Sequence, residues 1–333
     1  MSVEGTRIDF DPYVNDPLRW GASMAHHAEV MIPCLEAVGA RSVVEVGAYA
    51  GDLTRVLVEW AAHAGARVAA IDPSPQEGLV ALAAENAELV LIRETSLDGL
   101  PKIELPDVLI IDGDHNYYTV AEELRLIARR ASGANLPLLL FHDVCWPHGR
   151  RDDYFDPDQI PAEYRQPIAG ERAGIFPGNS GVCPDGLPYP RSAAREGGAR
   201  NGVLAAVEDF VAECDALRLV VVPAFFGFGA VWHRDAPWAD HVARVLDPWD
   251  RNSLLARLEE NRIHHIAQEH ALRVELWDAR ERQARLEAVL GRMLDSSAVA
   301  VAEQLSWLRV KAGVATEQSM ISKQEIRRAL NER

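Results

Sequence analysis

Apolar runs alternate with amphipathic stretches through most of the chain. The first run, residues 42–46, leads through a glycine-bounded turn into the amphipathic stretch Asp52–Trp60, and a second run follows at Arg67–Ile71. Later apolar runs lie at Leu89–Ile92, Val108–Ile111, Leu136–Phe141, Leu217–Val222 and Phe226–His233. Strands that alternate with helices form βαβ units and a parallel sheet. The pattern predicts a doubly wound α/β fold with a mostly parallel, seven-stranded sheet.

The last two apolar runs are separated only by residues 223–225. A connection this short cannot cross over the sheet, so it predicts a C-terminal hairpin. One strand of that hairpin must be antiparallel to the others, and we expect it at the edge of the sheet.

The C-terminal part of the chain has a different pattern. From Asn252 onward, apolar residues recur at alternating spacings of three and four, as in a helix that docks or dimerises. The apolar members of this seam are Leu255, Leu258, Leu272, Leu276, Ala279, Leu286, Leu290 and Met293. The pattern predicts a domain over residues 1–250 and a helical, partly coiled-coil tail over 251–333. Through this tail, copies of the chain are expected to form a homo-oligomer.

The turn after the first strand predicts a site for a nucleotide-like cofactor. Gly47 and Gly51 allow a sharp turn and a close approach of the backbone to a ligand. The G-x-G-x-x-G pattern of dinucleotide sites would require glycines where this chain has Tyr49 and Asp52, and no G-x-x-x-x-G-K-[ST] pattern is present. NAD, FAD and nucleoside triphosphates therefore fit this turn poorly.

The remaining pattern, E-x-G-x-x-x-G, resembles motif I of the class I S-adenosylmethionine-dependent methyltransferases, which have a Rossmann-like fold. The resemblance implies that S-adenosylmethionine is the cofactor. Asp72, at the end of the second strand, is placed to accept the ribose hydroxyls. The expected cofactor-binding residues are Glu45, Gly47, Ala48, Tyr49, Gly51, Asp72, Pro73, Ser96 and Asp112.

Charge narrows the range of substrates. The net charge is −16, and residues 251–333 carry 14 basic against 12 acidic side chains, which leaves −18 on the first 250 residues. A domain this acidic repels the phosphate backbones of DNA and RNA. We therefore expect no nucleic-acid partner. A small molecule or a glycan is the more compatible acceptor.

The expected location is the cytoplasm. Met1–Thr6 has neither a basic start nor an apolar run, and no apolar stretch is long enough to span a membrane. The 4 cysteines are widely spaced without a C-x-x-C pair, as is typical of reduced thiols.

Candidate catalytic residues follow the fourth and fifth strands. Asp112, Asp114 and His115 come after one strand, and His142 and Asp143 come after the next. The carboxyl ends of parallel strands form the edge at which open α/β sheets bind ligands. We therefore expect His115, His142 and Asp143 to be catalytic, with His115 as the general base.

The D-G-D-H-x-Y run and the later H-D pair resemble a subgroup of small-molecule O-methyltransferases. This subgroup is related to enzymes that tailor antibiotic sugars and to cephalosporin-hydroxylase-like proteins. The resemblance implies a divalent cation bound by Asp112, Asp114 and Asp143, with Mg²⁺ as the candidate ion. The chain has His142 where the subgroup has an acid, whereas Mg²⁺ prefers oxygen ligands. A metal ion and His115 acting alone are therefore alternative means of removing the acceptor's proton.

Structural roles are the alternatives to these functional ones, including a structural role for His115 and a plain hydrogen-bonding role for His142. Asp114 competes with Asn116 to cap the helix that follows. His142, Cys145 and His148 have the spacing H-x-x-C-x-x-H, and Cys183 lies further on, but this is not a standard zinc signature. A structural zinc site there is therefore disfavoured.

Residues 145–200 form the predicted substrate or lid loop. The segment is rich in Pro, Gly, Arg and Asp, with aromatic residues dispersed through it. Long loops in compact domains are usually lids, binding loops or disordered. Arg150 and Arg151 are candidates for contact with an anionic group, but exposure to solvent is the favoured expectation.

Together these observations predict an S-adenosylmethionine-dependent O-methyltransferase acting on a hydroxylated small molecule or a sugar or glycan. Methyl transfer to nitrogen or carbon is one alternative. A non-catalytic, cofactor-binding scaffold of a polysaccharide or natural-product assembly is another.

Overall fold

The computed structural model describes residues 22–131, 133–170, 173–184, 186–316, 323–324 and 327–328. Its centre is a seven-stranded sheet, as predicted. A separate two-stranded sheet lies in the 145–200 loop. The strands in chain order are β1 Ser42–Val46, β2 Arg67–Ile71, β3 Leu89–Ile92, β4 Val108–Ile111, β5 Leu138–Phe141, β6 Gly174–Ile175, β7 Leu187–Pro188, β8 Leu217–Val222 and β9 Phe228–His233.

The strands lie in the order β3-β2-β1-β4-β5-β9-β8. The order in which successive strands are added to the sheet therefore reverses between β1 and β4. Strands β1 to β5 are parallel, and the late hairpin is antiparallel, as expected. The expectation that the antiparallel strand lies at the edge was wrong. The hairpin inserts β9 beside β5, so the antiparallel strand is internal and β8 forms the edge.

Helices cover both faces of the sheet. They are α1 Ala28–Val38, α2 Asp52–Ala64, α3 Glu77–Glu85, α4 Ser96–Gly99, α5 Tyr117–Ala128, α6 Val203–Ala212, α7 Ala239–Leu246, α8 Ser253–Asp295 and α9 Ser297–Lys311. Short 3₁₀ segments occupy Met24–His27, Leu100–Lys102, Gly133–Asn135 and Pro157–Gln159. Strands β4 and β5 are buried along their whole length. Such central parallel strands are apolar on both faces because helices pack on both sides.

The 145–200 loop is organised around two buried charged side chains. Arg151 was expected to be exposed but is fully buried, and it donates to the carbonyl oxygens of Ala193 and Ser180 at 2.6 and 3.0 Å. Asp152 accepts hydrogen bonds from the backbone N–H groups of Tyr117 and Gly202 at 2.8 and 2.6 Å. The loop is therefore tied to the start of α5 and to the segment before α6.

The chain divides into two compact units between His270 and Ala271, later than the domain boundary expected at residue 250. The first turns of α8 belong to the first unit, where Ile263, Ile266 and Ala267 are buried. Buried Glu259 accepts hydrogen bonds from the backbone N–H groups at the turn of the β8–β9 hairpin. These turns of α8 are thus part of the sheet-containing unit.

The second unit contains the rest of α8 and α9. Several large apolar side chains there are exposed, among them Leu272, Leu276, Trp277 and Leu286. Within the described residues, no helix combines the length and the apolar composition that crossing a bilayer requires.

Candidate active site

The turn after β1 brings its backbone against the start of the loop after β4. Gly47 has a φ of +83°, and a Cβ atom there would lie 2.1 Å from the carbonyl oxygen of Asp112. Only glycine fits this position. Asp72, at the end of β2, accepts hydrogen bonds from the backbone N–H groups of Tyr49 and Ser74, each at 2.7 Å. The carboxylate of Asp72 therefore fixes the turn while retaining lone pairs for a ligand.

Glu45 lies behind this turn, in the sheet. Its side chain is buried and accepts a hydrogen bond from the hydroxyl of Thr54 at 2.6 Å. Burial raises the pKa of Glu45 to about 8, and the nearby carboxylates of Asp112 and Asp72 add to the shift. Glu45 does not line the cavity described below. Its side chain lies within the sheet and supports the turn from there.

A cavity of about 680 Å³ opens at the carboxyl ends of the central strands. Of the nine predicted cofactor-binding residues, six line it, and Glu45, Ala48 and Gly51 do not. The six are Gly47, Tyr49, Asp72, Pro73, Ser96 and Asp112. His115 and Asp143 line the same cavity, as do Phe155, Gln159 and Ile160 of the 145–200 loop. The predicted cofactor residues and two predicted catalytic residues thus share one cavity.

Two imidazoles and two carboxylates meet at one part of this cavity. Nδ1 of His142 lies 3.1 Å from Oδ1 of Asp112 and 3.1 Å from Oδ2 of Asp143. Nε2 of the same ring lies 2.9 Å from the carbonyl oxygen of Phe225. Nε2 of His115 is 3.1 Å from Oδ2 of Asp143, yet it makes no hydrogen bond of good geometry within the described chain.

The carboxylates favour protonated imidazoles in this cluster. Burial disfavours the charged form of His115, but Asp143 and Asp112 outweigh it and raise the pKa of His115 to about 9. Burial also opposes the charge on His142, and the same two acids raise its pKa well above the usual value. Since both ring nitrogens of His142 face acceptors, the ring donates from both sides as an imidazolium.

The donor set fits Mg²⁺ poorly. His142 places a charged N–H group between the oxygens of Asp112 and Asp143, where a cation shared by the two acids would lie. Asp114, the third expected ligand, belongs to neither cluster of candidate metal-ligating atoms among the described residues. Mg²⁺ also requires near-octahedral oxygen coordination. The two acids raise the pKa of His142, which favours a positive charge on its ring beside both carboxylates.

Asp114 instead connects the β4–α5 loop to the 145–200 loop. Its Oδ2 accepts a hydrogen bond from the hydroxyl of Thr119 at 3.0 Å, and its Oδ1 accepts one from the backbone N–H of Phe155 at 2.9 Å. Burial raises the pKa of Asp114. Asn116 is the residue that caps α5, through the N–H of Thr119 at 2.9 Å.

The disfavoured zinc set H-x-x-C-x-x-H is not assembled. His142 faces Asp112 and Asp143, while the ring of His148 lies 4.8 Å from that of His115, centroid to centroid. Cys145 belongs to neither of the clusters of potential metal-ligating atoms among the described residues.

Residues 44–144 match the family model described as a methyltransferase domain. The chain contains a methyltransferase domain. The prediction of a methyltransferase from motif I is thereby confirmed. The match covers β1 to β5 of the methyltransferase and ends just after Asp143. No curated protein matches the sequence.

Several solved structures are similar to the methyltransferase at low sequence identity. The S-adenosylhomocysteine-bound methyltransferase PaMTH1 of Podospora anserina is 16% identical, with 68% of this chain and 88% of that one covered and a TM-score of 0.40. A putative caffeoyl-CoA O-methyltransferase of Staphylococcus aureus is 10% identical, with coverages of 62% and 83% and a TM-score of 0.39. A putative O-methyltransferase of Klebsiella pneumoniae is 15% identical, with coverages of 68% and 92% and a TM-score of 0.35.

The sequence-based reasoning missed two acidic residues near His115, which lines the cavity. Asp153 was not singled out, although it lies beside His148 and His115. Glu123 was also missed. It is completely buried on α5, and burial raises its pKa to about 8. Glu123 sits on the buried face of an amphipathic helix, which is an unusual place for an acid and was the available signal.

Proposed function

We propose that the protein is an O-methyltransferase that transfers the methyl group of S-adenosylmethionine to a hydroxyl group of a small molecule or of a sugar unit. The observation that carries this proposal is the shared cavity. It joins a glycine turn and the acid Asp72, suited to an adenosine, to a cluster containing His115 and Asp143. A volume of about 680 Å³ lies within the ~300–1,000 Å³ of pockets for small ligands.

The chemistry requires alignment and proton removal. The sulfonium is already a strong electrophile, so the protein must hold the acceptor oxygen in line with the methyl–sulfur bond. His115 and Asp143 are the members of the imidazole–carboxylate cluster that line the cavity together with Asp112. Because the pKa of His115 is raised to about 9, its ring is free to take the acceptor's proton only at alkaline pH, and at neutral pH the carboxylate of Asp143 is the proton acceptor of this pair. The buried His142 holds the two acids in position.

Methyl transfer from labelled S-adenosylmethionine to a panel of phenols, sugars and matched amines tests the proposal. We expect transfer to hydroxylated acceptors. Labelled amine products would instead favour N-methylation. Tight cofactor binding without transfer to any acceptor would favour the scaffold alternative.

Replacing Asp72 by Ala should weaken S-adenosylhomocysteine binding by about 1.5–3 kcal/mol, because hydrogen bonds from the ribose hydroxyls to a charged acceptor are lost. Isothermal titration calorimetry measures this change. Glu94→Ala is a matched control, since Glu94 follows the adjacent strand β3 but does not line the cavity. Equal affinities in Asp72→Ala and the wild type would contradict the cofactor assignment.

The proposed partner of the tail is a second copy of the chain. The seam of α8 repeats at heptad spacing, and Leu272 and Leu276 are 63% and 51% exposed, so an identical helix offers a complementary face. Light scattering of the full chain should give the mass of an oligomer, and Leu272→Lys with Leu276→Lys should lower it. A wild-type monomer at micromolar concentration would contradict this proposal.

Four free cysteines support a reducing compartment, which we propose is the cytoplasm.

A further inference from the structure

Three buried polar atoms beside the cavity make no hydrogen bond within the part of the chain that the structure describes. They are Nε2 of His115, Nδ1 of His148 and Oδ1 of Asp153, each of which has almost no solvent contact. Buried polar groups in native proteins are nearly always hydrogen-bonded, so such atoms require an explanation. Nε2 of His115 also lies 3.1 Å from Oδ2 of Asp143, so the atoms of His148 and Asp153 are the two that most need a further partner.

The three side chains are close enough to share one ion. His115, His148 and Asp153 each offer a ligand atom, and these atoms lie within 4.8 Å of one another. The two imidazole rings are nearly parallel, with 16° between their planes. His148 is only 4% exposed, so water competes weakly for this position.

The backbone holds this arrangement in place without a ligand. The N–H of Asp153 donates to the carbonyl oxygen of His115 at 3.0 Å, which joins the two segments directly. The N–H of Val203 donates to the carbonyl oxygen of His148 at 2.9 Å. The neighbouring Asp152 is fixed by the bonds that organise the 145–200 loop. A site on such ordered segments is formed before any ion arrives.

We propose that His115, His148 and Asp153 bind one Zn²⁺ ion. Two imidazole nitrogens and one carboxylate oxygen are ligands that suit Zn²⁺ and related first-row ions, whereas Mg²⁺ and Ca²⁺ favour oxygen alone. Three protein ligands leave one position of a tetrahedral ion open. The site shares His115 with the cluster of Asp112, His142 and Asp143, in which the ring of His142 lies between the two acids. The ion would connect the β4–α5 loop, through His115, to the 145–200 loop, through His148 and Asp153.

Metal binding to the full-length protein tests this inference without reference to methyl transfer. After removal of metals with a chelator, we expect calorimetry to show one Zn²⁺ per chain, with Mg²⁺ unable to compete. His148→Ala and Asp153→Asn should each weaken binding at least about 100-fold, more than the loss of a group that only supports a ligand. His241→Ala, at an exposed histidine on α7, should bind as the wild type does. Failure of the wild type to bind Zn²⁺ would overturn the proposal.

Substitution with Co²⁺ identifies the ligands in the unaltered chain. Visible d–d bands without thiolate charge-transfer absorption are the expected spectrum, and a thiolate band would place the ion on a cysteine instead. Melting curves and S-adenosylhomocysteine affinity show whether each variant is folded. Undiminished Zn²⁺ binding in a folded His148→Ala, Asp153→Asn double variant would also overturn the site. Both proposals involve His115, but because the readout here is metal content, a failure of this inference is distinguishable from a failure of the proposed O-methylation.

Discussion

His115→Ala should reduce kcat by about 10²–10⁴-fold, the usual contribution of a positioned acid or base, while S-adenosylhomocysteine binds nearly as before. His115 lines the cavity beside Asp143, and its side chain is not among those predicted to bind the cofactor. Asp143→Asn should also impair turnover, since it removes the charge that holds both His115 and His142. Single-turnover methylation of the best acceptor, followed with labelled cofactor, measures the effect.

His63→Ala provides the matched control for the histidine change. His63 lies in the last turn of α2, and its Nδ1 is 2.8 Å from the carbonyl oxygen of Glu59 on the same helix. Its replacement should leave kcat unchanged. Full activity in a variant that carries both His115→Ala and Asp143→Asn would exclude this cluster from the reaction.

The second large effect is expected on stability. Asp152→Ala should lower the free energy of unfolding by about 3 kcal/mol or more, because it leaves several buried donors without a partner. These donors are the N–H groups of Tyr117 and Gly202 and the hydroxyl of Tyr154, which lies 2.9 Å from Oδ2 of Asp152. Urea denaturation measures the loss, and hydrogen exchange shows whether residues 145–200 open first.

Asp158→Ala is the control for this prediction. The side chain of Asp158 lies in the same loop but is 94% exposed. Substitutions at such surface positions usually change stability by less than about 0.5 kcal/mol. If Asp152→Ala is as stable as Asp158→Ala, the loop does not depend on its buried acid.

The periodicity of the chain predicted most of the fold because buried parallel strands have a strong local signal. Four strands, β2, β3, β4 and β8, have the expected bounds. Strand β5 begins later than expected because residues 133–135 form a 3₁₀ turn, to which the N–H of Leu136 donates. Strand β9 also begins later, since Phe226 has a φ of +67° and still belongs to the turn.

The strand-end rule brought His115, His142 and Asp143 to one place, because parallel strands deliver their following residues to the same edge. It could not show that His142 lies between Asp112 and Asp143, which depends on the carbonyl of Phe225 from a distant hairpin. The positions of His148 and Asp153 could not be predicted from the sequence either. They depend on long-range bonds from Asp152 to residues near α6, which leave no periodic trace in the sequence.

The attachment of α8 to the hairpin sets a limit for protein engineering. Glu259 accepts hydrogen bonds from the backbone N–H groups of Phe225 and Phe226 at 3.0 and 2.7 Å. The carbonyl oxygen of Phe225 in turn lies 2.9 Å from Nε2 of His142. A fragment cut at the end of the apparent catalytic domain, near residue 250, would lose Glu259 and release the peptide that orients an active-site imidazole. The minimal fragment for crystallisation or for fusion to another protein therefore ends no earlier than His270.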